Sequence, residues 1–213
     1  MMIRIYSRLL RIMILLSAMF AVSCGANLED NGVVSWEEQL KIAQSKVDSD
    51  AVLYDVTATL LEPGNVNVRE SNLATYFTFV RPTGETQRVY FLGGGNGPGI
   101  WGRHQDQKLN SVPTQEELND LRVRKEMIHI GPREVLERTL AEGQSFASKY
   151  HRVNDLSVIL FLDMERDEYT VSSGKTIWRV LFNILLGNDV HQLVVDVDVE
   201  SGDIVNRRMD DLK

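Results

Sequence analysis

Trp178-Arg-Val-Leu-Phe-Asn-Ile184, a Gly187-Asn-Asp189 turn and Leu193-Val-Val-Asp-Val-Asp-Val-Glu200-Ser-Gly-Asp-Ile-Val205 decide how this chain folds. Successive side chains of a strand point to opposite faces, so Trp178, Val180, Phe182 and Ile184 share one face of the first run. In the second run Leu193, Val195, Val197 and Val199 share a face, and Asp196, Asp198 and Glu200 share the other. That alternation predicts antiparallel strands with one covered face and one solvated face. Ser201-Gly202-Asp203 reads as a tight hairpin turn with glycine at the position that requires positive φ.

Upstream, Gly131-Pro132 predicts a helix start, with Pro at its tolerated first position. The helix runs to about Tyr150 with Val135, Leu136, Leu140, Phe146 and Tyr150 as its apolar stripe and Gly143 as a weak point. A strand follows at about 156–164. Nearer the N-terminus, Ser35-Trp-Glu-Glu38 has the form of a capping box, and Trp36, Leu40, Ala43 and Val47 continue it at helical spacing. Strands are expected at 52–61, 74–80 and 87–92, with Glu62-Pro-Gly-Asn65 as a type II turn. Thr114-Gln-Glu-Glu117 is a second capping-box pattern, opening a charged helix with Leu118, Leu121 and Met127 on its sparse apolar side.

Both halves thus show a helix, a long strand, an aromatic strand and a Val-rich strand, which suggests an internal duplication of roughly 70 to 80 residues. Five segments are expected: a lipoprotein signal peptide over 1–23, a tether over 24–34, a first repeat over 35–92, a Gly-rich connector with its helix over 93–131, and a second repeat over 132–213. Trp178-Arg-Val-Leu-Phe182 followed by Val197-Asp-Val-Glu-Ser-Gly-Asp-Ile-Val205 resembles the PepSY domain of bacterial secreted and membrane-anchored proteins. The resemblance implies an α+β fold of two PepSY-like, cystatin-like repeats, each a helix packed on an antiparallel sheet. It extends loosely to the tandem fold of the β-lactamase-inhibitory protein. It also implies binding or inhibition of peptidases without a fixed catalytic set.

The N-terminus reads as an address. Arg4, Arg8 and Arg11 precede the apolar run Ile12 to Val22, too short for a stable span but suited to a signal peptide. Ala21-Val-Ser-Cys24-Gly resembles the lipobox of bacterial lipoproteins, whose Cys is acylated. Cys24 is also the chain's one cysteine, which excludes an internal disulfide. Those three arginines are the only charges before residue 24, so the remainder holds 20 basic and 30 acidic residues against the chain's 23 and 30, a balance of −10. A surface that acidic repels phosphate backbones, and nucleic acid is excluded as a partner.

No catalytic set stands out. His104, His129, His151 and His191 lack ligand spacing, and a zinc pattern has no second cysteine to draw on. Counted from Asp196, a calcium loop requires Gly at 201 and Glu at 207, where the chain has Ser201 and Arg207. The Gly93-to-Gly99 run lacks the Lys-Ser/Thr ending of a phosphate loop and reads as a connector. Trp36, Tyr76, Phe77, Trp178 and Phe182 are assigned to the core. Trp101, with Arg103 and His104 beside it, forms the candidate binding loop: the indole either docks a partner or tucks between the halves. The expected function is a lipid-anchored extracytoplasmic binding module for a protein or peptide. It is non-enzymatic and without cofactor or metal; the alternative is a structural or assembly lipoprotein of the bacterial envelope.

Overall fold

The structure, a computed structural model, describes residues 35–61, 73–93, 99–163, 176–187 and 189–212. Cys24, the tether, the 62–65 turn and much of the Gly-rich run lie outside the described residues. Among the described residues nine strands make up one antiparallel sheet: β1 (Val52–Leu60), β2 (Leu73–Val80), β3 (Glu85–Gly93), β4 (Ile100–Arg103), β5 (Gln107–Lys108), β6 (Ser157–Asp163), β7 (Ile177–Leu186), β8 (Asp189–Asp198) and β9 (Ile204–Leu212). Their order is β4-β3-β2-β1-β6-β7-β8-β9, with β5 also pairing β3. Helices α1 (Trp36–Ser45), α2 (Gln115–Glu126) and α3 (Pro132–Lys149) contribute to one core on one face of that sheet.

This architecture corrects the expected α+β pair of helix-on-sheet repeats. The molecule is predominantly β, and a single sheet runs through both halves. The seam is β1 against β6, with Thr57 opposite Phe161, Ala58 opposite Leu160 and Thr59 opposite Ile159. Two separate sheets would each expose the edge of their first strand, and pairing those edges satisfies both rows of backbone groups.

Alternation assigns the faces correctly where the sequence is most regular. Trp178 lies opposite Val197, Val180 opposite Val195 and Phe182 opposite Leu193, and all six are buried beneath the helices. Gly143 of α3 is an approach point: a Cβ there would lie 2.3 Å from the Phe182 ring, so only glycine lets the helix sit this close. Local signals hold as well. Thr114 and Glu117 form a reciprocal capping box, Ser35 Oγ accepts from Glu38 N, and Gly202 has φ 74° in its turn.

An aromatic chain crosses the seam inside this core. Trp36 packs edge-on to Trp178 at 5.9 Å and stacks on Phe77 at 5.8 Å; Phe77 stacks on Trp101 at 6.0 Å, and Trp101 meets Phe91 at 4.8 Å. The connection between α2 and α3 seals it. Ile128 O accepts from Trp36 Nε1, Ile130 O accepts from Trp178 Nε1 at 2.9 Å, and His129 N donates to Val199 O.

The opposite face departs from the solvated surface that was expected. Asp196 is 2% exposed and accepts from Arg179 Nε at 2.8 Å and from Asn206 Nδ2 at 3.1 Å. Arg179, Asp196 and Asn206 occupy opposed positions on three adjacent strands, and the ion pair is what makes a buried carboxylate tolerable there. Asp198 plays a different part: its Oδ1 accepts from Glu200 N, Ser201 N and Ser201 Oγ, holding the β8–β9 turn.

Candidate functional site

Trp101 sits on β4, directly opposite Phe91 of β3, and is 1% exposed. Its ring lies against Phe77 and Phe91, on the helix face of the first half and away from the β1–β6 seam. The Lys46 ammonium lies 5.9 Å from the ring centroid. Its indole Nε1 is buried without a hydrogen-bond partner. Arg103 and His104 diverge from it. Arg103 is exposed and holds both oxygens of Asp106, at 3.0 and 2.9 Å. His104 follows the end of β4, and its backbone N donates to Arg88 O.

His104 belongs instead to a cluster on the face without helices. Its ring lies 5.0 Å from Tyr90 and 6.0 Å from Tyr76, the two tyrosines are 6.1 Å apart, and the Arg88 guanidinium stands 5.7 Å from the Tyr76 ring centroid. Tyr76 and Tyr90 are opposed cross-strand residues, and Tyr90 in turn lies over Gly102 of β4. A Cβ at Gly102 would fall 2.1 Å from the Tyr90 ring, so this glycine makes room for the phenol. Arg88 Nε donates to Thr78 Oγ1 at 3.3 Å, and among the described residues no carboxylate pairs with its guanidinium.

The cluster's electrostatics follow from partial burial beside a cation. Burial raises the Tyr76 pKa, opposed by Arg88 and reinforced by Tyr90. Burial also lowers the His104 pKa, and Arg88 lowers it further. Both effects favour the neutral imidazole, and its Nε2 is buried without a partner. Phenols, a neutral imidazole and a guanidinium together offer flat apolar area with polar rims and one positive charge. Such a surface suits recognition of protein or peptide groups.

Sequence reasoning placed Tyr76 in the core and passed over Tyr90 and Arg88. The signal was present: Tyr76 and Thr78 alternate with Phe77 and Phe79, and Arg88 and Tyr90 alternate with Val89 and Phe91. Period-two reading puts the first member of each set on the face away from the helices. A second concavity, an open groove of about 750 Å³ between α1 and the α2–α3 connection, is lined by Trp36, Leu40, Lys41, Lys125 and His129 among others. Among the described residues no three His, Cys, Asp or Glu side chains gather as a metal site. Nor is any described helix long and apolar enough to cross a membrane.

Comparison with known proteins yields little. No family model matches the chain, and no curated protein does. One solved structure, described as a "putative lipoprotein" of Clostridium difficile 630, aligns over 87% of this chain and 99% of its own at 15% identity. The TM-score is 0.45, too low for that likeness to carry any argument about fold or function.

Proposed function

We propose that this protein is a lipid-anchored extracytoplasmic binding module that docks a protein or peptide and performs no chemistry of its own. The address-like N-terminus supports the anchor: Arg4, Arg8 and Arg11, the apolar run Ile12 to Val22, and Cys24 after Ser23. The observation that carries the binding reading is the cluster of Tyr76, Tyr90, His104 and Arg88 on the sheet face opposite the helices. Tyrosine and arginine dominate binding hot spots because they bring large contact area and a rigid, directional cation. In this reading Trp101 and Phe91 support the platform from the far side of the sheet, and Arg103, which bonds Lys46 O and Asp106 on the helix side, is not part of it. Peptidase inhibition is the specific activity that the sequence resemblance implied.

Two comparisons test this. Cys24→Ser should release the protein from membranes or leave an uncleaved precursor, because acyl chains supply the membrane affinity. Unchanged size and fractionation would remove the anchor from the proposal. Capture from detergent-solubilised membranes should return a stoichiometric partner with the wild-type chain and lose it with Tyr76→Ala plus Tyr90→Ala. A peptidase among the captured proteins supports inhibition, and envelope assembly proteins support a scaffolding role. Equal capture by both chains sinks the platform.

A further inference from the structure

The nine-stranded sheet is open, and β9 ends it: among the described residues no strand pairs its outer side. A free edge of nine residues is a template for another strand unless something blocks it. Here the edge carries Arg207-Arg-Met-Asp-Asp211, two positive charges, one exposed apolar residue and two negative charges. Met209 is 61% exposed and Val205 45%.

That pattern is complementary to itself read backwards. A two-fold axis normal to the sheet joins two β9 edges antiparallel and leaves every residue on its own face. Opposed residues must then share a face, so the axis has to pass through a residue position rather than between two. Centring on Arg207, Arg208 or Asp210 places a like charge opposite itself, which is destabilising. Centring on Met209 places Arg208 opposite Asp210 of the second copy, the Arg207 position opposite the Asp211 position, and Met209 opposite Met209. Each charged opposition occurs twice, and the apolar residue lies at the centre.

We infer that β9 is a homodimerisation edge through which a second copy of this chain extends the sheet antiparallel about Met209. The ion pairs of these arginines lie at or near the surface: Arg207 with Glu142 at 2.9 Å, and Arg208, half-buried, with Asp210 at 3.5 Å and at 4.0 Å from the buried Asp196. Pairing trades the second of these for its equivalent across the axis. The geometry also keeps the helix faces of both copies on the same side of the extended sheet, so α1 begins on that side in both.

Charge reversal provides the test, using the full chain solubilised in non-ionic detergent and followed by sedimentation over a concentration series. The wild type should associate to a dimer that weakens as salt is raised, since rim charges are screened. The double variant Arg207→Asp with Arg208→Asp should be monomeric. So should Asp210→Arg with Asp211→Arg, while an equimolar mixture of the two restores a dimer, because every opposed pair is then of opposite sign. A second readout does not depend on those variants folding. Met209→Cys should form a reducible dimer under copper-phenanthroline, because opposed Cβ atoms lie about 4.5–5.5 Å apart. Val205→Cys and the wild-type chain, which controls for Cys24, should not. A wild type that stays monomeric throughout, charge variants that associate like the wild type, or a dimer that Met209→Cys fails to trap each overturns the inference.

Discussion

Replacing Asp196 by Ala should be among the most damaging single changes in this protein, although Asp196 reads from the sequence as one of three solvated acids. Its side chain is 2% exposed, that of Arg179 is 6% exposed, and Arg179 Nε lies 2.8 Å from Asp196 Oδ1. Removing the acid breaks a buried, charge-assisted contact in a site from which water is excluded, and breaking a buried pair in this way costs about 3–5 kcal/mol. Loss of the Asn206 Nδ2 bond at 3.1 Å lies within that figure. The pair itself need not be a net source of stability, because desolvating both charges offsets most of their attraction. The double variant Arg179→Met with Asp196→Leu should therefore fall within about 1–2 kcal/mol of the wild type, far short of the single change. Urea unfolding followed by tryptophan fluorescence measures all three chains, and an unchanged m-value confirms that the folded state is comparable. Asp198→Asn is the control. Asparagine holds an Asx-type turn nearly as well, so the change should cost less than about 0.5 kcal/mol. If Asp196→Ala costs under about 1 kcal/mol, comparable to an exposed pair, then the face is wet and the reasoning fails.

Trp101→Ala should cost about 3–5 kcal/mol, as a large core truncation does, whereas Trp101→Phe should cost much less because it also removes the buried, unpartnered indole N–H. Equal losses for the two in thermal or urea melts would mean that the N–H is satisfied. Gly143→Ala should destabilise by about 1–3 kcal/mol despite alanine's better helix propensity, because its Cβ meets Phe182. A stabilised variant would show that α3 can lift without cost. The pH dependence follows from His104. Its folded pKa is lowered by burial first and by Arg88 second, so the folded state holds fewer protons than the unfolded chain. The contribution is complete above about pH 6.5 and is lost as pH falls through that value toward the folded pKa. The urea midpoint of the wild type should drop more between pH 7.5 and 5.5 than that of His104→Gln, and parallel curves would refute the assignment.

The sequence by itself determined the local structure. Capping patterns at Ser35 and Thr114, proline after Gly131 and the alternation of Trp178 to Ile184 and Leu193 to Val199 act through neighbours a few residues apart; each is found where it was read, except that Ser35 and Glu38 form one half of the expected reciprocal box. Alternation also identified the helix-facing residues of β7 and β8, Trp178, Val180, Phe182, Leu193, Val195 and Val197, but not that Arg179, Val194 and Asp196 on the other face are buried too. Tertiary structure alone decided which strand lies beside which. No residue near Thr57 or Phe161 announces that β1 and β6 pair, since strand adjacency depends on backbone groups that are the same in every residue. The merged sheet followed from that one pairing. The same limit governed charge and aromaticity: Asp196 became a buried partner because Arg179 is opposite it in register. Trp101 left its supposed loop because β4 pairs β3 and lays the indole on Phe91. Tyr76, Tyr90, Arg88 and His104, spread over 29 positions of the chain, became one platform because three strands and the end of the last bring them onto a single face.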